Sequence, residues 1–463
     1  MNDGLPPGLL LAYYGDDFTG STDVMEAFTA AGVPTVLFLQ APTARWRARF
    51  PDARCMGLAG TSRGRSVAWM DEHLPAAFAS LAALDAPILQ YKVCSTFDSS
   101  PEVGSIGRAI DHGVQIVGGC WSPMVVGAPR LRRYQAFGHL FAAAADGQVH
   151  RLDRHPTMSR HPVTPMHESD LRRHLARQTA RRLELLDLVT LAGPQAADRV
   201  RDLIGPDTPV VLLDVVDEAT SAAAGRQVWE GRGRGLFSAS SSGLQYALAA
   251  HWRERGWLPA RPSLPEAASV PAIAVVSGSC SPATAAQIGW ARANGFAVHR
   301  LQVPPLLAGI GEAEAEIERT VALAVEALRG GRSPLVHSAE GPDDPAVTGF
   351  AALTVAAKRD PRDAAAAIGR ALAEVMRRLL DRVPTLRRVV VAGGDSSGEV
   401  ASGLGLTALT VAAGLAPGAP LCTGWSDRPE RDGLQIVLKG GQMGGESFFG
   451  AVRDGRAAGY SRP

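Results

Sequence analysis

Two adjacent carboxylates, Asp16 and Asp17, stand in residues 15–23, GDDFTGSTD, directly after an apolar run and before a helix-like stretch that ends at Gly32. Carboxylates at the carboxyl end of a buried strand can accept hydrogen bonds from ligand hydroxyls, and one can act as general base on an attacking alcohol. The same residues also read as a polar loop in which Thr19, Ser21 or Asp23 caps the helix. A second polar segment, residues 92–100, KVCSTFDSS, follows another apolar run. Lys92 beside Ser95 and Thr96 suits a carboxylate and a polyol, while Asp98 and Ser100 fit a turn and a cap as well.

Three small-residue segments occupy the second half. In residues 277–287, SGSCSPATAAQ, Ser277 and Ser279 open a loop and Pro282 sits where a helix's first turn begins. Exposed backbone N–H groups and the positive end of a helix would receive a phosphate there, although a plain strand-to-helix turn has the same composition. Residues 393–400, GGDSSGEV, place Gly393, Gly394, Asp395 and Ser396 between the run VVVA and a second helix-like stretch. Residues 439–449, KGGQMGGESFF, bring Gly440 and Gly441 after the last apolar run. Neither loop is a Walker A or a GxGxxG fingerprint, but two glycine-rich loops after strands of one domain point to a nucleotide cradle.

The elements that must position these residues alternate. Apolar runs at 9–14, 35–39, 88–93, 114–117, 185–191 and 210–216 read as buried strands separated by helical stretches. A second series has strands at 272–276, 297–301, 335–337, 389–392 and 434–439, with Ala-rich helices over 312–328 and 363–380. The proline-dense segment 259–271 breaks the rhythm, which predicts domains at 1–258 and 272–463 joined by that linker. The expected fold class is α/β, two α/β domains with mainly parallel sheets facing a central cleft. No repeat of fixed period is visible.

Composition narrows the function. With 463 residues, 46% hydrophobic and 20% charged, the chain has material for two packed cores at ~100–200 residues per domain. Lys plus Arg (47) nearly cancels Asp plus Glu (46), so no global field draws it to nucleic acid, and an anionic ligand needs a local site. The densest basic stretch holds Arg130, Arg132 and Arg133 and reads either as that site or as a solvated surface. Five scattered cysteines without a CxxC pair argue against disulfides and structural zinc and fit a reducing cytoplasm. The start lacks a signal-peptide pattern and no apolar run reaches ~18 residues, so neither export nor membrane spanning is expected.

The segments DDFTGSTD, KVCSTFDSS, HPVTPM (residues 161–166), SGSCSPAT, AGGDSSG and KGGQMGGESFF occur in the order and spacing of the four-carbon acid sugar kinases. The chain resembles that family from about Gly15 to Gly450. The resemblance implies an N-terminal domain that binds a small sugar acid and a C-terminal domain that binds ATP, with transfer to the terminal hydroxyl. It places ATP contacts on Ser277, Ser279, Gly393, Gly394, Asp395, Ser396, Gly440 and Gly441. The form STFDSS looks like the 3-oxo-tetronate kinase branch, since threonate and erythronate kinases tend to carry an Asp-Ser-Thr-x-Arg-Gly-Asn version. One departure is residues 128–141, APRLRRYQAFGHLF, where that branch has an Asn-Gly-Arg-Thr-like turn before Gly-Tyr-Leu-Phe. The expected acid is therefore 3-oxo-tetronate-like, with a branched relative such as 3-oxo-isoapionate as the alternative.

Asp17, with Asp16 in reserve, is expected to orient or deprotonate the acceptor. Lys92, Ser95, Thr96, Asp98 and an arginine among 130, 132 and 133 would hold the acid. Mg2+ is expected to bridge the phosphates without an all-protein cage. No nucleic-acid or membrane partner is expected, and a homodimer is left open. A nicotinamide-dependent dehydrogenase is disfavoured by the absent GxGxxG, and a non-catalytic acid sensor by the intact glycine loops.

Overall fold

The computed structural model describes residues 4–144, 147–161, 163–260 and 264–456, with the side chains of Asp395 and Ser396 outside that description. The chain divides into two compact units, Met1–Ser263 and Leu264–Pro463. Within the proline-dense segment, residues 261–263 lie outside the described residues.

The first unit contains β1 (Leu11–Gly15), β2 (Thr35–Phe38), β3 (Cys55–Ala59), β4 (Ile88–Lys92), β5 (Ser122–Met124), β6 (Arg133–Ala136), β7 (His139–Ala143), β8 (Val149–Arg151), β9 (Leu183–Leu186), β10 (Val210–Leu213) and β11 (Leu236–Ser240). Five of these form a parallel sheet in the order β11-β4-β1-β3-β2. Every residue of β1 and β4 is buried, as expected for parallel strands covered on both faces. Helix Val67–Ala82 supplies Met70, Leu74, Phe78 and Leu81 to the core, and Ile106–Val117 supplies Ile106, Ala109, Ile110 and Val114. These residues recur every three or four positions, the spacing of one helix face.

A small parallel sheet, β5-β10-β9, and an antiparallel one, β6-β7-β8, are inserted between β4 and β11. Serines stitch β11 to β5. Ser122 Oγ donates to the Phe237 carbonyl at 2.9 Å, Ser238 Oγ to the Pro123 carbonyl at 2.8 Å, and Val125 N to Ser240 Oγ at 2.8 Å.

The second unit contains β12 (Ala274–Ser277), β13 (Ala297–Arg300), β14 (Pro334–His337), β15 (Arg388–Ala392), β16 (Ala408–Ala416), β17 (Ala419–Trp425) and β18 (Leu434–Lys439). Their order is β16-β17-β18-β15-β12-β14-β13, parallel except at the β16–β17–β18 pairings. The α/β class with mainly parallel sheets holds in both units. Among the described residues no helix is long and apolar enough to cross a membrane.

The two units repeat one topology. The order β11-β4-β1-β3-β2 matches β18-β15-β12-β14-β13 strand for strand, and the insertion falls between the fourth and fifth strands each time. The backbone bonds at the carboxyl edge repeat as well. Asp16 N bonds the Lys92 carbonyl as Gly278 N bonds that of Ala392, both at 3.0 Å. In the same way Val93 N bonds the Ser240 carbonyl at 3.0 Å and Gly393 N that of Lys439 at 2.9 Å. In each sheet the connections from the first and fourth strands, which are neighbours, leave in opposite directions. Open α/β sheets bind ligands at such a switch point.

Two sequence expectations are corrected. Residues 114–117 are the last turn of helix Ile106–Val117, not a strand, because their apolar residues continue its buried face until Gly118 ends it at φ 74°. The run 185–191 is split at Asp187, whose side chain accepts from Thr190 N at 2.9 Å and starts the helix Leu188–Ala192 after β9. Strands β3, β5, β11, β16 and β17 and the β6–β8 hairpins had no counterpart in the sequence reading.

Candidate active site

At the switch point of the first unit, Asp17 caps the helix Phe18–Ala30. Its Oδ1 accepts from Gly20 N at 2.8 Å and its Oδ2 from the Thr19 hydroxyl at 2.9 Å. The residue expected from the sequence to serve the chemistry is thus also the helix cap. Asp16, only 2% exposed, lies beside it. Arg63, from the short turn Ser62–Gly64 after β3, grips both. It donates to Asp16 through Nε at 3.0 Å and Nη2 at 2.7 Å, and to Asp17 through Nη1 and Nη2 at 2.8 Å each. Its backbone N also bonds the Asp16 carbonyl at 2.9 Å.

Lys92, the last residue of β4, is buried with Nζ 3.9 Å from Asp23 Oδ2. Glycine at position 20 leaves room for this group, since a Cβ there would lie 2.3 Å from Asp17 Oδ1 and 3.0 Å from Lys92 Nζ and would displace them.

The two adjacent carboxylates differ in proton affinity. Burial raises Asp16, and the charge of Asp17 adds to that, with Arg63 opposing only in part. Burial also pushes Asp17 upward, but Arg63, Lys92 and the bonds from Thr19 and Gly20 outweigh it and leave it below the usual carboxylate range. Asp23 is raised by burial against the pull of Lys92.

The KVCSTFDSS segment forms a strained turn beside this cluster. Phe97 is fully buried at φ 60°, a left-handed conformation that non-glycine residues adopt at a cost of ~1–3 kcal/mol. The turn persists because it is held from outside. Ser99 Oγ lies 3.0 Å from His174 Nε2 and accepts from Gln178 Nε2 at 3.1 Å. Thr96 Oγ1 lies 2.9 Å from Cys94 Sγ, and burial pushes that thiol up to about 11. Ser95 is half-buried beside it.

Among the described residues Asp98 Oδ1 is buried without a hydrogen-bond partner, and so is Arg133 Nε. The charge of Asp98 acts on Arg133 and on Cys94. A donor and an acceptor left open in one neighbourhood suit a ligand that carries both carboxylate and hydroxyl.

The three arginines separate. Arg133, on β6, is half-buried, with Nη1 donating to the carbonyls of Leu131, Arg132 and Ala143 at 3.2, 3.2 and 3.3 Å. Arg130 and Arg132 are exposed, and Arg132 bonds the Gly147 carbonyl. Sequence reasoning missed Arg63 and Asp23. The only signal for Arg63 was its place in TSRGR, after a strand that went unrecognised.

In the second unit Ser277, the last residue of β12, and Ser279, in the loop after it, are both buried. Ser279 N donates to Ser277 Oγ at 3.4 Å, and Ser281 caps the helix Pro282–Ala293. Gly393, at φ 126°, precedes the helix Gly394–Gly403, and among the described residues no side chain caps that helix. A Cβ at Gly394 would meet nothing within 4 Å. Gly440 and Gly441 follow β18, and a Cβ at Gly441 would come within 2.9 Å of Ser279 Oγ, so this loop and the serine loop are in close contact. Asp395 and Ser396 lie in the first turn of Gly394–Gly403, with side chains outside the described residues. Among the described residues no group of three His, Cys, Asp or Glu could hold a metal.

Family models match both units, the sugar-binding N-terminal domain over residues 11–248 and the nucleotide-binding C-terminal domain over residues 274–449. A 3-oxo-isoapionate kinase of Paraburkholderia graminis is 71% identical, covering 98% of this chain and 96% of its own. A 3-oxo-tetronate kinase of Cupriavidus necator is 31% identical, with 95% of each chain covered. The crystal structure described as a putative tRNA synthase from Salmonella typhimurium LT2 shares the fold, with a TM-score of 0.75 at 23% identity over 95% of this chain and 98% of that one. Matched along both units and to kinases over nearly its full length, the chain is a kinase and belongs to the four-carbon acid sugar kinase family.

Proposed function

We propose that the protein transfers a phosphoryl group from ATP to a hydroxyl of a branched short oxo-acid of the 3-oxo-isoapionate type. The observation that carries this reading is the 71% identity to a 3-oxo-isoapionate kinase, against 31% to a 3-oxo-tetronate kinase. It favours the branched acid over the linear one that the STFDSS form suggested. The departure at residues 128–141 is in keeping with it, because that segment carries Arg133 to the neighbourhood of Asp98 and Cys94.

In this reading Arg133 takes the substrate carboxylate, Asp98 and Thr96 take hydroxyls, and Lys92 holds the charge balance beside Asp23 and Asp17. Asp17 orients the acceptor hydroxyl. The loops after β12, β15 and β18 hold ATP, which supplies the phosphoryl group with magnesium spreading its negative charge. The amide of Gly394, for which the described residues supply no acceptor, fits such an anion.

Purified protein incubated with ATP, magnesium and each of the two acids should release ADP with a kcat/KM at least about tenfold higher on the branched acid. A reversed preference restores the 3-oxo-tetronate reading. Tight acid binding without ADP from any acid would make the protein a sensor.

Two substitutions test the assignments separately. Arg133→Ala should raise the KM for the acid by roughly ten- to a hundredfold, the value of a charged hydrogen bond of ~1.5–3 kcal/mol, with the KM for ATP unchanged. Arg130→Ala and Arg132→Ala should behave as wild type. Three wild-type profiles would mean that the segment does not read the acid. Gly394→Val has room in the fold, so it should weaken ADP binding in calorimetry while acid binding stays intact. Unchanged ADP affinity would remove Gly394 from the nucleotide site.

A further inference from the structure

Lys439, the last residue of β18, is fully buried, and its ammonium faces no carboxylate within ion-pair distance among the described residues. Its three protons go to neutral acceptors, Thr284 Oγ1 at 3.0 Å and the carbonyls of Gly440 and Gly441 at 3.1 and 3.2 Å. A buried cation without a counter-charge is costly, and such a group is retained where an anion completes the site.

The glycine loop that follows is turned inside out. The Gly441 carbonyl also accepts from Ser281 Oγ and from Thr284 Oγ1, the latter at 3.0 Å. Gln287 Nε2 collects the carbonyls of Met443, Gly444 and Gly445 at 2.9, 3.0 and 3.1 Å. The carbonyls of Gly440, Gly441, Met443, Gly444 and Gly445 are therefore drawn inward by Lys439 and the helix Pro282–Ala293. The backbone N–H groups of Gly441, Gln442, Gly444 and Gly445 have no acceptor among the described residues. Inward carbonyls with open amides are the arrangement of an anion nest.

We infer that Lys439 is a positioning residue of the phosphate site. In its protonated form it pins the loop carbonyls, leaves the loop amides free for phosphate oxygens, and sets its own charge behind them. Gln287 is a neutral second strap on the same loop. The inference rests on the reading that the second unit binds ATP.

Nucleotide binding is then linked to one proton. Burial alone pulls Lys439 down to about 8. The titratable groups on the elements around it are few. Strand β15 brings Arg388, bonded to Gln435 Oε1 and to the carbonyls of Val452 and Ala268. Helix Pro282–Ala293 brings Arg292, paired with Glu340. Strand β17 brings Cys422, the loop itself carries exposed Glu446, and helix Gly394–Gly403 brings Glu399 against Gly369 together with Asp395, whose side chain lies outside the described residues. None of the described charges contributes to the shift.

For a lysine depressed in the folded state, the stability contribution is present above its ordinary value of ~10.4 and lost as pH falls through about 8. The free protein should therefore gain stability from Lys439 as pH rises from 8 toward 10. Over the same window its affinity for nucleotide should fall, because the binding form is the protonated one.

The test is calorimetric titration with ADP between pH 7 and 9.5, together with thermal unfolding of the same samples. Wild-type affinity should fall by up to about tenfold per pH unit above 8, while the melting temperature of wild type minus that of Lys439→Met rises. Lys439→Met should bind ADP ~10- to 100-fold more weakly at pH 7.5, with a flat profile. Gln287→Leu should lose affinity but keep the wild-type slope. Wild-type affinity that is flat across the window overturns the inference and leaves the nucleotide reading standing. No ADP binding by the wild type at any pH overturns that reading itself.

Discussion

Arg63→Leu is expected to lose both stability and turnover, and to lose more of its stability at pH 8 than at pH 5. Among the described residues the guanidinium is the one group that bonds Asp16 and Asp17 together, through four contacts of 2.7–3.0 Å. Breaking a buried ion pair by removing one partner costs about 3–5 kcal/mol. Arg63 is 24% exposed, so the lower end of that range applies.

The pH dependence follows from Asp16. Its carboxyl is already raised by burial and by Asp17, and losing Arg63 raises it further. A group raised in the folded state contributes stability that is full below its ordinary value of ~3.9 and lost as pH rises through the folded value. The melting-temperature gap between variant and wild type should therefore widen with pH. Arg63→Lys separates charge from shape, because an ammonium restores part of the stability but cannot repeat a planar fork across two carboxylates, so turnover should stay low. A gap that is constant from pH 5 to 8 would mean that Arg63 does not govern the ionisation of the pair.

The absence of Arg63 from the sequence reading shows where such a reading stops. Asp16, Asp17, Lys92 and the glycine loops were legible because each sits directly after a recognisable apolar strand, and open sheets place ligands at that edge. Arg63 follows β3, Cys55–Ala59, whose CMGLA contains no β-branched or aromatic residue. That strand is specified by its neighbours: Gly57 leaves room for Tyr13, whose ring atoms would lie within 2.1–2.5 Å of a Cβ there. The selection is tertiary and local propensity carries no trace of it.

The misread 114–117 run has the same cause in reverse. Four residues with apolar ends are compatible with either periodicity, and only the packing of Ile106, Ala109 and Ile110 on the sheet decides for the helix. The duplicated topology was invisible because equivalence lies in strand order and in edge hydrogen bonds. Asp16 and Gly278 occupy matching positions with no chemistry in common. One sheet edge holds buried carboxylates with Arg63 and Lys92, while the other offers glycines, serines and uncapped amides. The same scaffold thus presents groups suited to a hydroxy acid in one unit and to phosphates in the other.

The second large effect is expected for Asp17→Asn, which should lower kcat by ~10²- to 10⁴-fold while the fold is kept. Asparagine is as good a helix cap as aspartate, so the bond from Gly20 N to the side-chain oxygen survives and the helix Phe18–Ala30 keeps its start. What is lost is the negative charge. Asp17 is held below the ordinary carboxylate range by Arg63, Lys92, Thr19 and Gly20, all against the cost of burial. It is therefore ionised at every pH at which the enzyme would work, and it is a weak base.

A weak base suits phosphoryl transfer, where the transition state is loose and little proton transfer is needed before the new bond forms. On the proposed assignment its service would be to align the acceptor hydroxyl and take the proton late. The wild-type kcat should accordingly show no carboxylate limb between pH 5 and 8. Asp16→Asn is the control that decides between the two. Asp16 is raised and almost fully buried, so if it were the base the acid limb would lie above the ordinary carboxylate value, where Asp17 puts none. A loss below about tenfold in Asp17→Asn together with a larger loss in Asp16→Asn would transfer the role to Asp16, and losses below tenfold in both would take the pair out of the chemistry and leave it to substrate binding alone.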